Sequence, residues 1–401
     1  MEKTIIELFA GVGGFRLGFD RLNSGWSTKW FSQWEPEKKN QWAHDCYVRH
    51  FGPSLDLNGK DTTGIDIAKV DKKFIPDASL LVGGFPCQDY SVAHGLNTEK
   101  GIEGKKGVLW WQIFETLQEK KTPFCLFENV DRLLKSPSKQ RGRDFGIMLA
   151  CLNSLGYSVE WRVVNAAEYG AVQRRRRVFI FAYSDKTEHA KYVENVPAEN
   201  IFHTEGFFAK AFPVESLGKI ESTSLCNDIV KVSDAFSFPF ENAGYMHNGM
   251  IYTTRIVPIE EKGPVLSDIL ESNVDEKYYE SEERLEKWKY LKGSKRIERI
   301  ASNGHKYMYS EGAMTYPDAW DAPGRTMLTS EGTLNRSSHV VEDPATRRIR
   351  ILTPVECERM QGFEDGWTEG MPEKMRYFCM GNALVVPMIT RMGKVLDNIL
   401  Q

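Results

Sequence analysis

A cysteine stands at a position in this sequence where nucleophilic chemistry is possible. Cys87 follows an apolar run, two glycines and a proline in "VGGFPCQDYS" (82–91). A cysteine attacks as its thiolate, which nearby cations stabilise, whereas a structural cysteine is usually buried and inert. The placement of Cys87 at a glycine-rich strand exit therefore predicts that it contacts a ligand.

An acid and a run of arginines could complete such a site. Glu128 comes directly after the apolar segment of "PFCLFENV" (123–130), and four arginines at 174–177 precede "VFIF". Alternate residues of a strand share a face, so we expect Arg175 and Arg177 to point together into a cleft. An arginine run is also typical of a solvated or phosphate-binding patch, and the strand that follows favours the inward arrangement.

A glycine-rich turn near the N-terminus could hold a nucleotide-like cofactor. In "ELFAGVGGFRLGF" (7–19), three glycines lie between a predicted strand and a predicted helix, where the backbone can approach a ligand. The dinucleotide pattern G-x-G-x-x-G is not met, because Arg16 takes the place of the last glycine. Glu35 and Asp66 could accept hydrogen bonds from ribose and adenine, although either is equally typical of a solvated loop.

The elements that must position these residues alternate between strand and helix. Residues 1–184 contain short apolar segments, such as "TIIELF" (4–9) and "SLLVGG" (79–84), separated by helix-like segments such as "GVLWWQIFETLQEK" (107–120). This alternation predicts an α/β fold with a mostly parallel sheet. Ligands of such sheets bind at the carboxyl ends of the strands, so the loops named above are expected to converge on one cleft.

Composition excludes several classes of protein. The 401 residues carry a formal net charge of −3, so any nucleic-acid binding requires a local concentration of positive charge. Seven scattered cysteines without a CxxC pair argue against a disulfide framework and a zinc cluster, and we expect no metal. No apolar run is long enough to span a bilayer and no signal peptide is evident, which predicts a cytoplasmic protein.

The pattern changes after residue 184. Residues 185–346 have weak periodicity and one clear charged helix, "DEKYYESEERLEKWKYLKG" (275–293), before order returns in "LTPVECERMQGF" (352–363) and "ALVVPMITRMGKVLDNIL" (383–400). The predicted division is a catalytic domain of residues 1–184, an inserted domain of residues 185–346, and a segment of residues 347–401 that returns to the first.

Six motifs, in order along nearly the whole chain, resemble those of the DNA (cytosine-5) methyltransferases of restriction–modification type. They are "FAGVGG" (9–14), "PCQ" (86–88), "ENV" (128–130), the QxRxR strand (173–177), the segment from "RILTPVE" to "QGF" (350–363) and "GNALVVP" (381–387). Six ordered motifs at compatible spacings are a specific signal. The unmatched region coincides with the place where this family has its variable target-recognition domain.

The resemblance implies a Rossmann-like sheet of the class I S-adenosylmethionine-dependent kind, with an inserted target-recognition domain. It implies S-adenosyl-L-methionine as methyl donor and S-adenosyl-L-homocysteine as product. The positions that match cofactor contacts of the family, or line the boundary between cofactor and base, are Phe9, Ala10, Gly11, Gly13, Gly14, Phe15, Glu35, Asp66, Ile67, Phe85, Pro86, Leu109, Asn382 and Ala383.

The resemblance also implies a set of catalytic roles. Cys87 would add to carbon 6 of a flipped-out cytosine, Glu128 would bind ring nitrogen 3, and Arg175 would orient the base at its carbonyl oxygen. Ser91 lies in the loop that closes over the base in this family, unless it is a plain loop serine. The remaining motif residues assigned to this site are Gln88, Asn129 and Arg177.

The sequence departs from the family pattern at three places outside the Cys, Glu and Arg set. The second-strand acid lies in Trp34-Glu35-Pro36 instead of an Asn-Glu-x-Asp pattern, which puts the adenine-stacking partner in doubt. The closing loop reads "GKKGVLWW" (104–111) instead of the common arginine-glycine-threonine-leucine form. Ala383 replaces the serine of the GNS triplet, at the expected loss of one hydroxyl contact.

The inserted domain is expected to read double-stranded DNA. Its most promising segments are "KGSKRIER" (292–299) and "APGRTMLTSEGTLNRSSHVV" (322–341). Arginine and hydroxyl side chains suit base-edge and phosphate contacts, although basic loops are often merely solvated. The residues predicted to contact DNA are Arg325, Thr326, Arg336 and Ser337.

Two other functions remain open from the sequence. One is an RNA cytosine-5 methyltransferase on the same scaffold, acting on transfer RNA; the other is a catalytically silent relative that only binds DNA. The large insert favours DNA, and the retained Cys87, Glu128 and Arg175 favour an enzyme. We therefore expect a monomeric methyltransferase of a bacterium or phage-infected cell, associated with the nucleoid, that protects a short site against a separate cognate restriction endonuclease.

Overall fold

The computed structural model describes residues 1–85, 109–226, 228–300 and 304–401. These residues form two compact units. The first unit contains residues 1–169, 176–261 and 384–401, and the second contains residues 170–175 and 262–383.

A nine-stranded sheet is the centre of the first unit in the described part of the chain. Its strand order is β2-β1-β3-β4-β6-β5-β9-β10-β8. Strands β1 to β4 are parallel, whereas β6, β5, β9, β10 and β8 continue the sheet in antiparallel fashion. The strands are β1 (Thr4–Leu8), β2 (Ser27–Ser32), β3 (Leu80–Gly84), β4 (Phe124–Val130), β5 (Tyr157–Asn165), β6 (Arg176–Ser184), β8 (Glu221–Ser224), β9 (Ala243–His247) and β10 (Met250–Thr254).

The parallel strands are apolar along almost their whole length because helices cover the sheet. Every residue of β1 is buried, including Glu7, and β3 and β4 begin with four buried residues each. Such near-continuous apolar runs are typical of parallel strands with both faces covered. The prediction of a Rossmann-like α/β fold is confirmed. Helices of this unit are α1 (Gly14–Asp20), α2 (Trp42–Phe51), α3 (Leu109–Lys120), α4 (Arg143–Ser154), α5 (Glu188–Glu194), α6 (Ala198–Asn200), α7 (Phe207–Ala211), α8 (Ile229–Ala235) and α12 (Val386–Ile399).

The boundary predicted at residue 185 is not where the second unit begins. Strands β8 to β10 come from the predicted insert, yet β9 pairs with β5 and extends the large sheet. An aromatic cluster fixes this extension: the ring of Phe240 lies 5.5 Å from that of Trp161 and 5.0 Å from that of Phe145. Gly244 lies so close to Trp161 that a Cβ atom there would overlap the indole ring. The second unit therefore begins, apart from residues 170–175, at residue 262.

The chain returns to the first unit at residue 384 and not at residue 347, where the sequence predicted it. Residues 347–383 stay in the second unit, and residues 384–401 return to the first, where α12 packs against α1. The contact is close because Gly18 of α1 leaves space for Ile389 of α12. Loss of that space on adding a methyl group at Gly18 would separate the two helices.

The second unit is held by buried ion pairs more than by a large sheet. Arg350 is fully buried and pairs with Asp343 at 2.9 Å and Glu356 at 2.7 Å. Glu356 also forms a capping box with Thr353, which starts α10 where the sequence predicts a helix. The elements of this unit are β12 (Lys295–Ile300), β13 (Lys306–Glu311), β14 (Val340–Glu342), β15 (Ile349–Ile351), α9 (Glu282–Lys292), α10 (Pro354–Gln361) and α11 (Glu373–Asn382), while the short pair β7 (Val214–Leu217) and β11 (Ile256–Pro258) belongs to the first unit.

Within the described residues, none of the helices combines the length and apolar character that a membrane span requires.

Candidate active site

The glycine-rich turn follows β1 and leads into α1, as the sequence predicts. Phe9, Gly11 and Gly13 have φ angles of 56°, 57° and 91°, a backbone region that glycine enters at little cost. The amide of Gly11 donates to Oε1 of Gln33 at 2.7 Å, and the amide of Ala10 donates to the carbonyl of Ser32 at 3.0 Å. These bonds tie the turn to the end of β2. Gly14 is the first residue of α1, and Phe15 is buried.

Glu7, at the end of the strand below this turn, is a buried acid that sequence reasoning missed. Its Oε2 accepts a hydrogen bond from the hydroxyl of Tyr47 at 2.8 Å. Burial raises the pKa of Glu7 from 4.5 to about 8, although the Tyr47 hydrogen bond and the charge of Arg16 act in the opposite direction and nearby Asp20 raises it further. The carboxyl is therefore protonated in the folded protein at neutral pH.

We expect Glu7→Gln to reduce the loss of stability on raising the pH. The folded protein retains a proton on Glu7 between pH 4.5 and about 8 that the unfolded chain has lost, so this group lowers the free energy of unfolding progressively across that window. Glutamine cannot ionise. Thermal unfolding measured from acid to mildly alkaline pH should show a smaller decrease in the variant. If the stability of both proteins decreased equally with pH, Glu7 would not be the group that retains the proton.

Two further acids lie in loops at the same edge of the sheet. Oε2 of Glu35 accepts a 3.3 Å hydrogen bond from the amide of Ala43, and its own amide donates to Gln41. Asp66 caps a short 3₁₀ helix by accepting from the amide of Ala68 at 3.0 Å, and Ile67 beside it is buried. Both carboxylates remain partly exposed, which leaves acceptor capacity for a ligand.

Glu128 and Arg177 form an ion pair at the end of the parallel strands. Glu128 pairs in register with Gly84 of β3 and Phe179 of β6, so Arg177, opposite Val130, is its diagonal neighbour on the same face. Nε of Arg177 lies 2.8 Å from Oε1 of Glu128, and the two side chains are only 17% and 12% exposed. The antiparallel pairing of β4 with β6 therefore places an acid and a guanidinium together beside the strand that leads to Cys87.

Asn129 fixes the backbone at the exit of β3. Its side-chain amide donates to the carbonyl of Phe85 at 2.8 Å, and its Oδ1 accepts from the amide of Val130 at 2.8 Å. Phe85 is buried against Trp110 and Phe127, with ring centroids 5.9 and 6.3 Å away. Both contacts hold the chain in place immediately before Pro86. Leu109 is the first residue of α3.

We expect Asn129→Ala to lower kcat more than it weakens cofactor binding. The substitution removes the donor to Phe85 and leaves a buried carbonyl without that partner, at a cost of about 1–3 kcal/mol. Because Phe85 precedes the segment that carries Cys87, this predicted nucleophile would be less well positioned. Steady-state kinetics and cofactor titration separate the two effects. A variant with wild-type kcat would show that Asn129 has no positioning role.

Arg175 lies just before the strand that holds Arg177, so the shared strand face predicted for the two arginines stays a prediction. β6 begins at Arg176, and the buried guanidinium of Arg175 donates to the carbonyls of Met327 and Gly381, each at 3.0 Å, within the second unit. Of these two arginines, Arg177 is the one that contacts Glu128. Alternation along the sequence could not show where the strand begins.

The two cofactor positions near the C-terminus lie in the second unit. Asn382 is the exposed last residue of α11, and Ala383 follows it as the C-cap. Gly381 is packed so tightly against the backbone of Leu328 and Thr329 that a Cβ atom there would overlap it. The glycine of this motif therefore has a packing role within the unit.

The side chains predicted to contact DNA are engaged inside the protein. Arg325 binds Asp318 with two hydrogen bonds, at 2.8 and 3.0 Å, and donates to the carbonyls of Ser337 and Ser338. Arg336 donates to three backbone carbonyls, and the hydroxyl of Thr326 donates to the carbonyl of Arg174. The guanidinium groups of Arg325 and Arg336 therefore already have acceptors within the second unit, and their predicted contacts with DNA stay predictions.

A cavity of about 920 Å³ lies elsewhere in the first unit, between α5, α7 and α12. Its lining includes Lys210, Arg391 and Tyr192, and none of the predicted site residues within the described chain contributes to it. Four predicted site residues, Pro86, Cys87, Gln88 and Ser91, lie outside the described residues.

The first unit is an α/β fold with an acid and an arginine paired at its strand ends, and comparison with known proteins gives the family of the chain. The chain belongs to the C-5 cytosine-specific DNA methylases, whose family model matches residues 3–398. It is therefore a DNA (cytosine-5-)-methyltransferase.

Restriction–modification methyltransferases are among its relatives. The chain is 51% identical over 401 residues to the Type II methyltransferase M.Sau3AI of Staphylococcus aureus, covering 98% of this chain and 95% of that protein. It is 26% identical to the Type II methyltransferase M.SsoII of Shigella sonnei, with 99% and 80% coverage. These relatives favour DNA over RNA as the substrate.

Solved structures of methyltransferases share the fold. The Entamoeba histolytica methyltransferase EhMeth superimposes with a TM-score of 0.59 at 15% identity, covering 100% of this chain and 99% of that one. The Dnmt2 methyltransferase of S. pombe gives a TM-score of 0.59 at 14% identity, with 99% and 98% coverage. At these identities the likeness supports the fold alone.

Proposed function

We propose that this enzyme methylates carbon 5 of a flipped-out cytosine in a short duplex DNA sequence, with S-adenosyl-L-methionine as methyl donor. The observation that carries the proposal is the Glu128–Arg177 ion pair, held beside the strand exit that leads to Cys87. The target carbon is unreachable inside a duplex, so the base must leave the stack at a cost of a few kcal/mol.

The proposed roles follow from the chemistry of cytosine. The Cys87 thiolate adds to carbon 6, which makes carbon 5 nucleophilic enough to form a bond to the methyl group. The bond from that methyl group to the sulfonium sulfur breaks at the same time, and S-adenosyl-L-homocysteine would leave as the thioether. A proton then leaves carbon 5 and the bond from carbon 6 to sulfur breaks, which restores both the aromatic ring and the thiolate. Gln88 and Ser91, one and four residues after Cys87 in the sequence, would act on the same base.

Glu128 and Arg177 suit the polar edge of the base during this addition. A carboxyl group at ring nitrogen 3 can donate or share a proton as negative charge develops there, and a guanidinium can donate to the carbonyl oxygen of carbon 2. The base-orienting role passes from Arg175 to Arg177, because Arg177 contacts Glu128 at 2.8 Å. Arg175 is assigned a structural role.

The residues around the glycine turn fit S-adenosylmethionine, whose positively charged sulfur makes its methyl group electrophilic. A Cβ atom at Gly11 would meet nothing within 4 Å, so the backbone there is open to a ligand. The carboxylate of Glu35 would accept from ribose hydroxyls and that of Asp66 from the adenine amino group. Phe9, Ile67, Phe85 and Leu109 would supply apolar contacts.

The biological setting proposed is a bacterial restriction–modification system. The Staphylococcus aureus relative, at 51% identity, is named a Type II methyltransferase, which supports this setting. The enzyme would act in the cytoplasm as a monomer and mark DNA against a separate endonuclease. The second unit would supply target recognition.

The test is methyl transfer from labelled S-adenosylmethionine to unmethylated plasmid DNA, with transfer RNA in a parallel reaction. Label recovered from DNA as 5-methylcytosine at one short sequence supports the proposal and identifies the site. Label confined to RNA would show that the enzyme is an RNA methyltransferase. Label in neither nucleic acid would indicate a catalytically silent protein that only binds DNA.

A further inference from the structure

A two-stranded ribbon in the second unit lacks a core beneath either face. β12 and β13 pair in antiparallel register from Lys295 opposite Glu311 to Ile300 opposite Lys306. No residue of either strand is buried, and Ile300 and Met308 are 66% and 50% exposed. An isolated two-stranded hairpin is marginally stable in water, so an exposed ribbon with apolar residues indicates a surface that a partner covers.

The charge of the ribbon identifies the kind of partner. Its two strands carry the cations Lys295, Arg296, Arg299 and Lys306 and the acids Glu298 and Glu311. The ribbon is therefore basic, although the whole chain has a net charge of −3. A positive surface on a protein of net negative charge is the pattern expected for local contact with a polyanion.

The two faces of the ribbon differ in how far their polar groups are engaged. On one face, the guanidinium of Arg299 lies 3.7 Å from the ring centroid of Tyr309, and Lys295 lies 4.4 Å from that of Tyr290. Glu311 on that face accepts a hydrogen bond from Tyr309. These side chains bind one another.

The opposite face offers polar and apolar groups outward. It carries Arg296 opposite Ser310, Glu298 opposite Met308, and Ile300 opposite Lys306. Lys306 and Glu298 form an exposed pair at 3.0 Å, whereas Arg296 has no acceptor among the residues that the structure describes. We call this the Arg296 face.

Arg336 fastens the base of the ribbon, where β12 begins and β13 ends, to the rest of the unit. It donates to the carbonyl of Gly293 at 2.9 Å, just before β12, and to that of Gly312, directly after β13. Its Nη1 also lies 3.6 Å from Glu311. These contacts at the base of the ribbon fix the direction in which the ribbon points. Arg336 is thus a positioning residue for the ribbon.

We propose that the β12–β13 ribbon enters the major groove of the target DNA with its Arg296 face toward the base pairs, and that Arg296 reads a base edge. The major groove accommodates a two-stranded ribbon, and a guanidinium can bind guanine O6 and N7 together. Met308 and Ile300 suit the thymine methyl group, and Lys306 suits a phosphate. This inference rests on the proposed action on duplex DNA.

The test compares Arg296→Ala with Arg299→Ala, which removes the same charge from the opposite face. Once the methylated sequence is mapped with the wild-type enzyme, dissociation constants are measured at fixed salt for a duplex containing it and for duplexes with one base pair changed. The measure of specificity is the dissociation constant of a changed duplex divided by that of the mapped duplex. Arg296→Ala is expected to lower this ratio by about 10-fold or more at the base pair that Arg296 contacts, since one base contact contributes roughly 5- to 150-fold. Arg299→Ala should weaken both duplexes alike.

Arg296→Lys separates base reading from simple charge attraction. Lysine keeps the charge but lacks the rigid planar pair of donors of a guanidinium, so specificity should recover only in part. Wild-type specificity in Arg296→Lys, or an unchanged ratio in Arg296→Ala, would overturn the inference. Thermal unfolding confirms that each variant is folded, as expected for exposed positions. Failure of the wild-type enzyme to methylate DNA would instead overturn the proposed function.

Discussion

The Cys87→Ala protein is expected to bind S-adenosylmethionine as the wild type does but to transfer no measurable methyl group to DNA. Without addition of a thiolate at carbon 6, carbon 5 of cytosine has too little nucleophilicity to react. Removal of a covalent nucleophile lowers kcat by about four to six orders of magnitude. The measurement is transfer of labelled methyl to the mapped duplex, with cofactor binding followed by calorimetry.

Cys379 provides a matched control for this substitution. It is a buried cysteine of α11 in the second unit, far along the chain from the catalytic motif, so Cys379→Ala removes a thiol without touching the proposed nucleophile. It should retain methyl transfer, with at most a loss of stability. Equal loss of activity in both variants, or activity in Cys87→Ala, would show that Cys87 is not the nucleophile.

Arg177→Ala and Arg175→Ala are expected to fail in different ways. Arg177 pairs with Glu128 at 2.8 Å, so its removal takes away the proposed donor to the base and should lower kcat by about 10²–10³. Arg175 is buried and donates to two backbone carbonyls, so its removal should cost about 2–4 kcal/mol of stability. Kinetics and chemical denaturation of both variants distinguish the roles.

Charge-preserving variants sharpen this comparison. Arg177→Lys keeps a cation beside Glu128 but offers fewer fixed donors, so kcat should recover only in part. If Arg175→Ala were fully stable and catalytically dead, the assignment of Arg175 as structural and Arg177 as base-orienting would be reversed.

The sequence predicted the parallel half of the sheet and its loops because these depend on local signals. The apolar runs of β1, β3 and β4 and the glycines of the first turn occur as expected. The pairing of Glu128 with Arg177 could not be predicted, because it depends on antiparallel register between β4 and β6. Sequence spacing gives no information about that register.

The extension of the sheet by β9 and β10 was missed although a signal was present. Asn248 and Gly249 join these strands with φ angles of 47° and 74°, and an Asn-Gly pair between β-prone segments is a strong hairpin signal. The internal hydrogen bonds of Arg325 and Arg336 could not be predicted either. Their acceptors include Asp318, Gly293 and Gly312, whose proximity only the folded chain establishes.

The most direct test of the account uses a duplex whose target cytosine carries fluorine at carbon 5. Proton loss from carbon 5 is then impossible, so the bond between sulfur and carbon 6 cannot break after methyl transfer. We expect a stable complex whose mass equals enzyme plus DNA plus one methyl group, with the DNA attached to the peptide containing Cys87. An enzyme that methylates ordinary duplex DNA but forms no such complex, or forms it through another residue, would contradict the account.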